Sequence, residues 1–294
     1  MTAVAVDGNA QAIAITAGEW TLRVDPRHGG MVRALTRRGA DVLRPMPEAS
    51  TEPLESACFP LAPYVNRIAH GLFTWEGESH ALAPNHPAIA HPLHGTAWLE
   101  TWDLAEHRED ALTLTHAHRA DARWGWSFTA RQTFTLTANG LHARLALTNT
   151  DTRTMPAGIG FHPWFARRGV EAIAFAAQGV WLGDEAMLPT RPAPADQLGD
   201  WSAPASLDRP ALIDNCYFGW DGTLRIERKD GAILLESAGT RFLHLFVPPG
   251  GDFFCAEPQT TMPDALNRPT RDQPGTRALA PGESLTLDMT IRSA

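Results

Sequence analysis

Period-two alternation on either side of Asn139-Gly140 restricts this chain more than any other feature. Trp126, Phe128, Ala130, Phe134 and Leu136 fall on one parity, and Ser127, Thr129, Arg131, Thr133 and Thr135 on the other. Leu141, Ala143, Leu145 and Leu147 return after the Asn-Gly. A helix repeats its faces about every 3.6 residues and a strand every second residue, so only a strand keeps this pattern on one face. Two alternating runs joined at Asn-Gly predict an antiparallel hairpin with one side in a core.

The same signal recurs along the chain. Strands are expected over 19–24, 30–35, 72–75, 80–82, 97–104 and 111–115, the third and fourth turning at Glu76-Gly77-Glu78. A second hairpin runs through Leu224 and Ile226, turns at Asp230-Gly231 and returns through Ile233 and Leu235. The final strand alternates Leu285, Leu287, Met289 and Ile291 with Ser284, Thr286, Asp288 and Thr290. Helical periodicity is scarce, and the proline-rich stretch from Pro189 to Pro210 reads as a long loop. Many short strands separated by turns predict an all-β fold, a large antiparallel β-sandwich. At 294 residues the whole chain, 1–294, is expected to form one such domain.

Charge and cysteine usage narrow the partners. The net charge is −8 and Lys229 is the only lysine, so no basic groove for nucleic acid or anionic membrane is visible. No apolar run is long enough to span a bilayer. Cys58, Cys216 and Cys255 are odd in number and far apart, which fits a reducing compartment. Met1–Asp7 has neither a basic start nor a long apolar run, so no signal peptide is expected and the cytoplasm is the expected location. The sequence leaves monomer and homodimer open.

Five stretches carry polar groups among apolar ones. In Gly158-Ile-Gly-Phe-His-Pro-Trp-Phe165, Pro163 biases His162 toward extended backbone, so its ring should project from a strand end. Trp164 beside it could cover a sugar face or fill the core. Asn66 and Arg67 offer a donor-acceptor amide and a planar donor fork suited to neighbouring hydroxyls. His86, His91 and His94 invite a metal reading, but the intervening prolines and the lack of a completing carboxylate or cysteine oppose it. His94, next to Gly95, is the functional candidate there, and His86 and His91 are expected on a surface loop. Asp214 ends an apolar run and can accept two hydroxyl bonds. Glu257 ends Phe253-Phe-Cys-Ala-Glu257, where burial would raise its pKa into the range useful to a general base. There is no Walker loop, no G-x-S-x-G and no complete G-x-G-x-x-G.

In order, Asn66-Arg67-Ile68 with Gly71 and Phe73, Leu93-His94-Gly95, Gly160-Phe161-His162-Pro163, Asp214 and Glu257-Pro258 resemble the aldose 1-epimerase (mutarotase) family. The resemblance implies a galactose mutarotase-like supersandwich, an open carbohydrate cleft, an aldose substrate and no cofactor or metal. It implies Glu257 as general base, His162 as general acid and His94 near the ring oxygen. Arg67 and Asp214 would bind sugar hydroxyls, with Asn66 supporting them and Trp164 available to the sugar. In this scheme His162 must carry a proton at working pH. Thr96 stands where many galactose mutarotases have glycine, Trp164 where tyrosine is common, and Leu61-Ala62-Pro63-Tyr64 where a glycine-arginine version is usual. Those departures keep the acid and base and leave the sugar open. Arg167 and Arg168 could meet an anionic group on it, or lie solvated in a loop. The alternatives are a catalytically silent sugar-binding or regulatory protein, and a glycosidase or lyase using Asp214 and Glu257 as a carboxylate pair.

Overall fold

A computed structural model of the chain describes residues 12–87 and 89–294. The reading of the first seven residues lies outside them. The predicted hairpin forms from the strands Phe128–Thr137 and Gly140–Asn149, with Phe134 opposite Ala143. Its turn sits one residue earlier than the sequence suggests. Thr137 pairs with Gly140, so Ala138 and Asn139 make the turn. Gly140 is there for close approach: a Cβ at that position would lie 2.2 Å from the Ile291 carbonyl oxygen.

This hairpin is the centre of a back sheet of eight strands. In spatial order they are Val170–Phe175, Thr223–Arg228, Ile233–Glu236, Ser284–Ser293, Gly140–Asn149, Phe128–Thr137, Ala111–His118 and Asp103–His107. Every pairing is antiparallel. A second, front sheet orders Pro189–Pro194, Gly179–Gly183, Ile213–Phe218, Phe242–Val247, Phe253–Gln259, Gly160–Phe161 and Pro60–Leu61, with Trp164–Ala166 also pairing to Phe253–Gln259. A four-stranded sheet begins with Ile13–Ala17 and Trp20–Asp25. The all-β sandwich expected from the alternation is therefore present.

One apolar cluster joins all three sheets. It runs from Ile15 and Leu22 through Phe128, Leu145 and Leu287 to Leu243, Phe254 and Ala256. Removing this much apolar surface from water is the dominant stabilising term.

Two segments differ from the sequence reading. Pro189–Pro194 is an edge strand rather than loop, a place where proline's missing N–H is tolerated. The expected strand over 97–104 splits into a 3₁₀ turn, Ala97–Leu99, and a strand starting at Asp103. The indoles of Trp98 and Trp102 are both buried there and donate to backbone carbonyls at Leu93 and Gly95, and at Ala97, so tertiary hydrogen bonds override the local alternation.

Candidate active site

The central strands of the front sheet, Phe242–Val247 and Phe253–Gln259, are buried on both faces, and those faces differ in chemistry. Leu243, Leu245, Val247, Phe254 and Ala256 point into the main core. The other parity carries Asp214 and Cys216, then Phe242, His244 and Phe246, then Cys255, Glu257 and Gln259. Polar groups thus form a row across three neighbouring strands, flanked by aromatic rings at both ends.

Glu257 is only 2 % exposed, and its Oε1 lies 3.3 Å from His162 Nε2. His162 arrives from the turn between Gly160–Phe161 and Trp164–Ala166, its backbone N–H donating to the Phe59 carbonyl. Its ring stacks on Trp164, with centroids 4.0 Å apart, and tilts against Phe59. The Arg44 guanidinium also lies over Trp164, 4.9 Å from the ring centre. Trp164 is therefore packed under His162 and buried.

His94 and Asn66 hold each other. The Asn66 N–H donates to His94 Nδ1 at 3.2 Å, and the His94 N–H donates to the Asn66 carbonyl at 3.0 Å. Both residues are left-handed, with φ of 56° and 58°, a strained conformation that asparagine accepts more readily than histidine. A Cβ on the following Gly95 would lie 2.0 Å from the Ala62 carbonyl oxygen, so only glycine fits. With Nδ1 accepting, a neutral His94 ring carries its proton on Nε2. Asn66 Oδ1 in turn accepts from the Arg67 N–H and Nη1. Arg67 Nη2 lies 3.8 Å from Asp214 Oδ2.

His244 was absent from the sequence reading. It sits opposite Glu257 on one side and Cys216 on the other, and its Nε2 meets Asp214 Oδ1 at 2.6 Å. One Asp214 oxygen is thereby committed to the protein. A signal existed in the sequence: Phe242-Leu-His-Leu-Phe-Val247 places one histidine at an apolar parity, and Pro248-Pro-Gly-Gly-Asp252 marks the turn that folds it onto Glu257.

Burial dominates the electrostatics. It pushes Glu257 up to about 8, against the pull of the His244 cation. It drives His162 well below its ordinary value, with His244 adding to the effect. The sequence reading put a proton on His162; desolvation acts against that, and outweighs the help of Asp214. His94 is lowered likewise, first by burial and then by His162. His244 goes the other way. Burial opposes its charge, but Asp214 and the Cys216 thiol carry it up to about 10. Glu257 Oε2 and His162 Nδ1 are buried without hydrogen-bond partners.

The metal reading of His86, His91 and His94 finds no common point. His94 is bound to Asn66, whereas His91 Nδ1 accepts from the His70 N–H. His91 is also buried rather than on a surface loop. His162, Cys255 and Glu257 do bring donor atoms within 4.8 Å of one another, all three buried, and burial holds the Cys255 thiol well above its ordinary value. A hollow of about 1120 Å³ is lined by Trp181, Phe218, Phe242 and Arg268 and begins at the far end of this sheet face, without His162 or Glu257 in its wall. The convergence of titratable groups, rather than hollow size, marks the candidate site.

The profile of the aldose 1-epimerase family matches residues 12–292. The chain is 35% identical to an uncharacterized Escherichia coli K12 protein, YphB, over 277 residues, covering 90% of this chain and 92% of that one. A crystal structure from Escherichia coli K12, of a protein proposed to be an aldose 1-epimerase, superposes with a TM-score of 0.88 at 33% identity, covering 97% of this chain and 99% of that one. A Caenorhabditis elegans structure described as a GalM/aldose epimerase homologue has the same fold, with a TM-score of 0.81 at 18% identity, covering 97% and 98% of the two chains.

Proposed function

The chain belongs to the aldose 1-epimerase family, and from that premise we propose that it is a mutarotase, interconverting the α and β anomers of an aldose. The observation that carries this reading is the buried contact of His162 with Glu257 at 3.3 Å, each keeping one polar atom without a partner. Buried polar atoms left unpaired cost about 1–3 kcal/mol each, and finding one on each member of a facing acid–base contact supports a ligand that completes both.

Ring opening of a cyclic hemiacetal needs a base at the anomeric hydroxyl and an acid at the ring oxygen. Glu257 takes the hydroxyl proton while His162 delivers one to the ring oxygen, and the bond from C1 to the ring oxygen breaks. Rotation about C1–C2 presents the other carbonyl face. Closure returns the proton from Glu257 to the new hydroxyl and that of the C5 hydroxyl to His162. During the open-chain interval Glu257 is protonated and His162 neutral. Burial favours that same distribution in the empty site, raising Glu257 and lowering His162. Sugar hydroxyls donating to Glu257 tip the pair to the carboxylate from which opening starts. His94 donates to the ring oxygen or a neighbouring hydroxyl, Arg67 and the second oxygen of Asp214 bind hydroxyls, and Asn66 fixes Arg67 and His94. Trp164 acts beneath His162, setting the plane of its ring. The glycosidase alternative needs Asp214 free as a second carboxylate, and its bond to His244 weighs against that. The continuous core supports treating 12–294 as one domain.

The test is anomer exchange by NMR with fresh α-glucose, α-galactose, xylose, arabinose and a hexose 6-phosphate. Acceleration above the buffer rate that Glu257→Gln lowers by roughly 10²–10⁴ is expected. A folded protein that binds a sugar without accelerating exchange would replace this reading with the silent binder.

A further inference from the structure

His244 is 3% exposed and lies in the middle of the candidate site, yet the proton-transfer scheme above does not use it. Two features of its placement stand out. It is anchored by the short bond to Asp214. It is also the direct cross-strand partner of Glu257, and such partners stand about 5 Å apart at their Cβ atoms. A buried ion pair is weak evidence for stability, because taking both charges out of water offsets much of their attraction. A pair of apolar residues would serve this sheet at least as well as packing. The position of the pair, one strand from the reacting carboxyl, gives it another purpose.

We propose that His244 is a positioning residue of the mutarotase reaction: a fixed cation, anchored by Asp214, that sets the pH range in which the His162–Glu257 pair holds its one working proton. The inference rests on the mutarotase reading. The pair titrates as a unit, losing its protons in two macroscopic steps. A neighbouring positive charge makes each step easier, so His244 draws both to lower pH. Its own charge survives across that range, since Asp214 and the Cys216 thiol hold the proton. The other groups facing Glu257 and His162 are Asp214 and Cys216 from the strand Ile213–Phe218, and Cys255 from Glu257's own strand. Arg67, His94, Arg44 and Cys58 act from the loops and strands around them. Of these, Asp214 opposes the effect, and Arg67 is too far from Asp214 for a close bond, at 3.8 Å.

The experiment compares wild type, His244→Gln and Cys216→Ala. The first variant keeps a hydrogen-bond donor toward Asp214 but removes the cation. The second removes the thiol that helps hold the His244 proton and keeps the Asp214 bond. Two readouts are taken: the pH profile of kcat for anomer exchange, and an infrared titration of the Glu257 carboxyl without sugar, its band assigned with Glu257→Gln. In His244→Gln both limbs of the profile and the carboxyl midpoint should move up by about 1–3 pH units, the size of effect expected from one opposite charge at this range. Cys216→Ala, in which His244 keeps Asp214 as its partner, should move the midpoint less than His244→Gln does. A loss of kcat in His244→Gln with an unmoved profile and midpoint overturns the proposal, since a structural role alone gives that result. If the variant fails to fold, His244→Asn is titrated instead; an unmoved carboxyl midpoint there also overturns it. Absence of exchange in wild type would remove the mutarotase reading, while the infrared titration would still decide whether His244 governs Glu257.

Discussion

His244 meets Asp214 at 2.6 Å, whereas His162 meets Glu257 at 3.3 Å, although both pairs are buried on the same face of the front sheet. The first pair is charged. Burial raises the cost of ionising Asp214, but His244 overcomes it, so the carboxyl stays below its ordinary value and the imidazole far above. The second pair drifts toward neutrality, with the carboxyl raised and the imidazole lowered. One histidine–carboxylate contact is thus spent on holding a charge in place, and the other is left able to move a proton. What separates them is geometry: a short, well-made bond stabilises ions in a low-dielectric interior, and a long one with unpaired atoms does not.

The contrast is tested most strongly by neutralising each carboxylate in turn. Glu257→Gln should abolish most exchange and leave urea-induced unfolding near pH 5 close to wild type, because a neutral amide there replaces a carboxyl that burial already keeps neutral. Asp214→Asn should do the reverse in stability. It leaves the His244 cation without its partner, and breaking a buried pair costs about 3–5 kcal/mol. Equal stability losses in the two variants would show that the pairs are equivalent and that the difference in bond length carries no energetic meaning.

A smaller effect, and a sharper one, lies in the pH dependence of stability. Glu257 has a folded value of about 8 against an ordinary 4.5, so its contribution is fully present below 4.5 and is lost as pH rises through 8. His244 has about 10 against 6.5, so its contribution is present below 6.5 and is lost as pH rises through 10. His94 and His162 are depressed, and their contributions are present above 6.5 and are lost as pH falls from there toward their folded values. Melting temperature should therefore decline on both sides of neutrality. Glu257→Gln should flatten the alkaline decline mainly below pH 8, and His244→Gln mainly above it. Identical alkaline slopes in all three proteins would mean that neither group titrates differently in the fold.

The same comparison explains what the sequence revealed. The back sheet was legible because its alternation is local: Phe128, Phe134 and Leu145 announce a buried face within one hairpin. Glu257 and His162 were legible through short motifs, and as polar residues in apolar runs. Their protonation was not, because it depends on how deeply distant strands bury them. His244 escaped because a lone histidine in an apolar strand means little until the turn at Pro248–Asp252 aligns it with Glu257 and a third strand supplies Asp214. Trp164 reads equally as sugar platform or core in the sequence, because the His162 ring that stacks on it and the Arg44 guanidinium over it come together only in the fold. Pro189–Pro194 was hidden because proline suits an edge strand and a loop equally.

The smallest effect is expected at Arg167, which belongs to neither pair. Arg167 and Arg168 are the sequence features that raised an anionic sugar. Arg167 Nη2 donates to Asp208 at 2.6 Å, and its backbone N–H donates to the Asp252 carbonyl. The hollow around it, about 480 Å³, also presents Glu171, Asp208 and Asp252, so acidic groups balance the two arginines. A phosphate entering there would have to displace Asp208 and lie beside two other carboxylates, whose repulsion offsets the arginine's attraction. Arg167→Ala should change KM for glucose and for a hexose 6-phosphate by about twofold or less, and stability by under about 1 kcal/mol, the scale of an exposed ion pair. A rise in KM confined to the phosphorylated sugar, with kcat held, would instead extend the site toward Arg167. The front sheet would then divide its work in three, with one pair for the proton, one for the fixed charge and an arginine for the substrate's own charge.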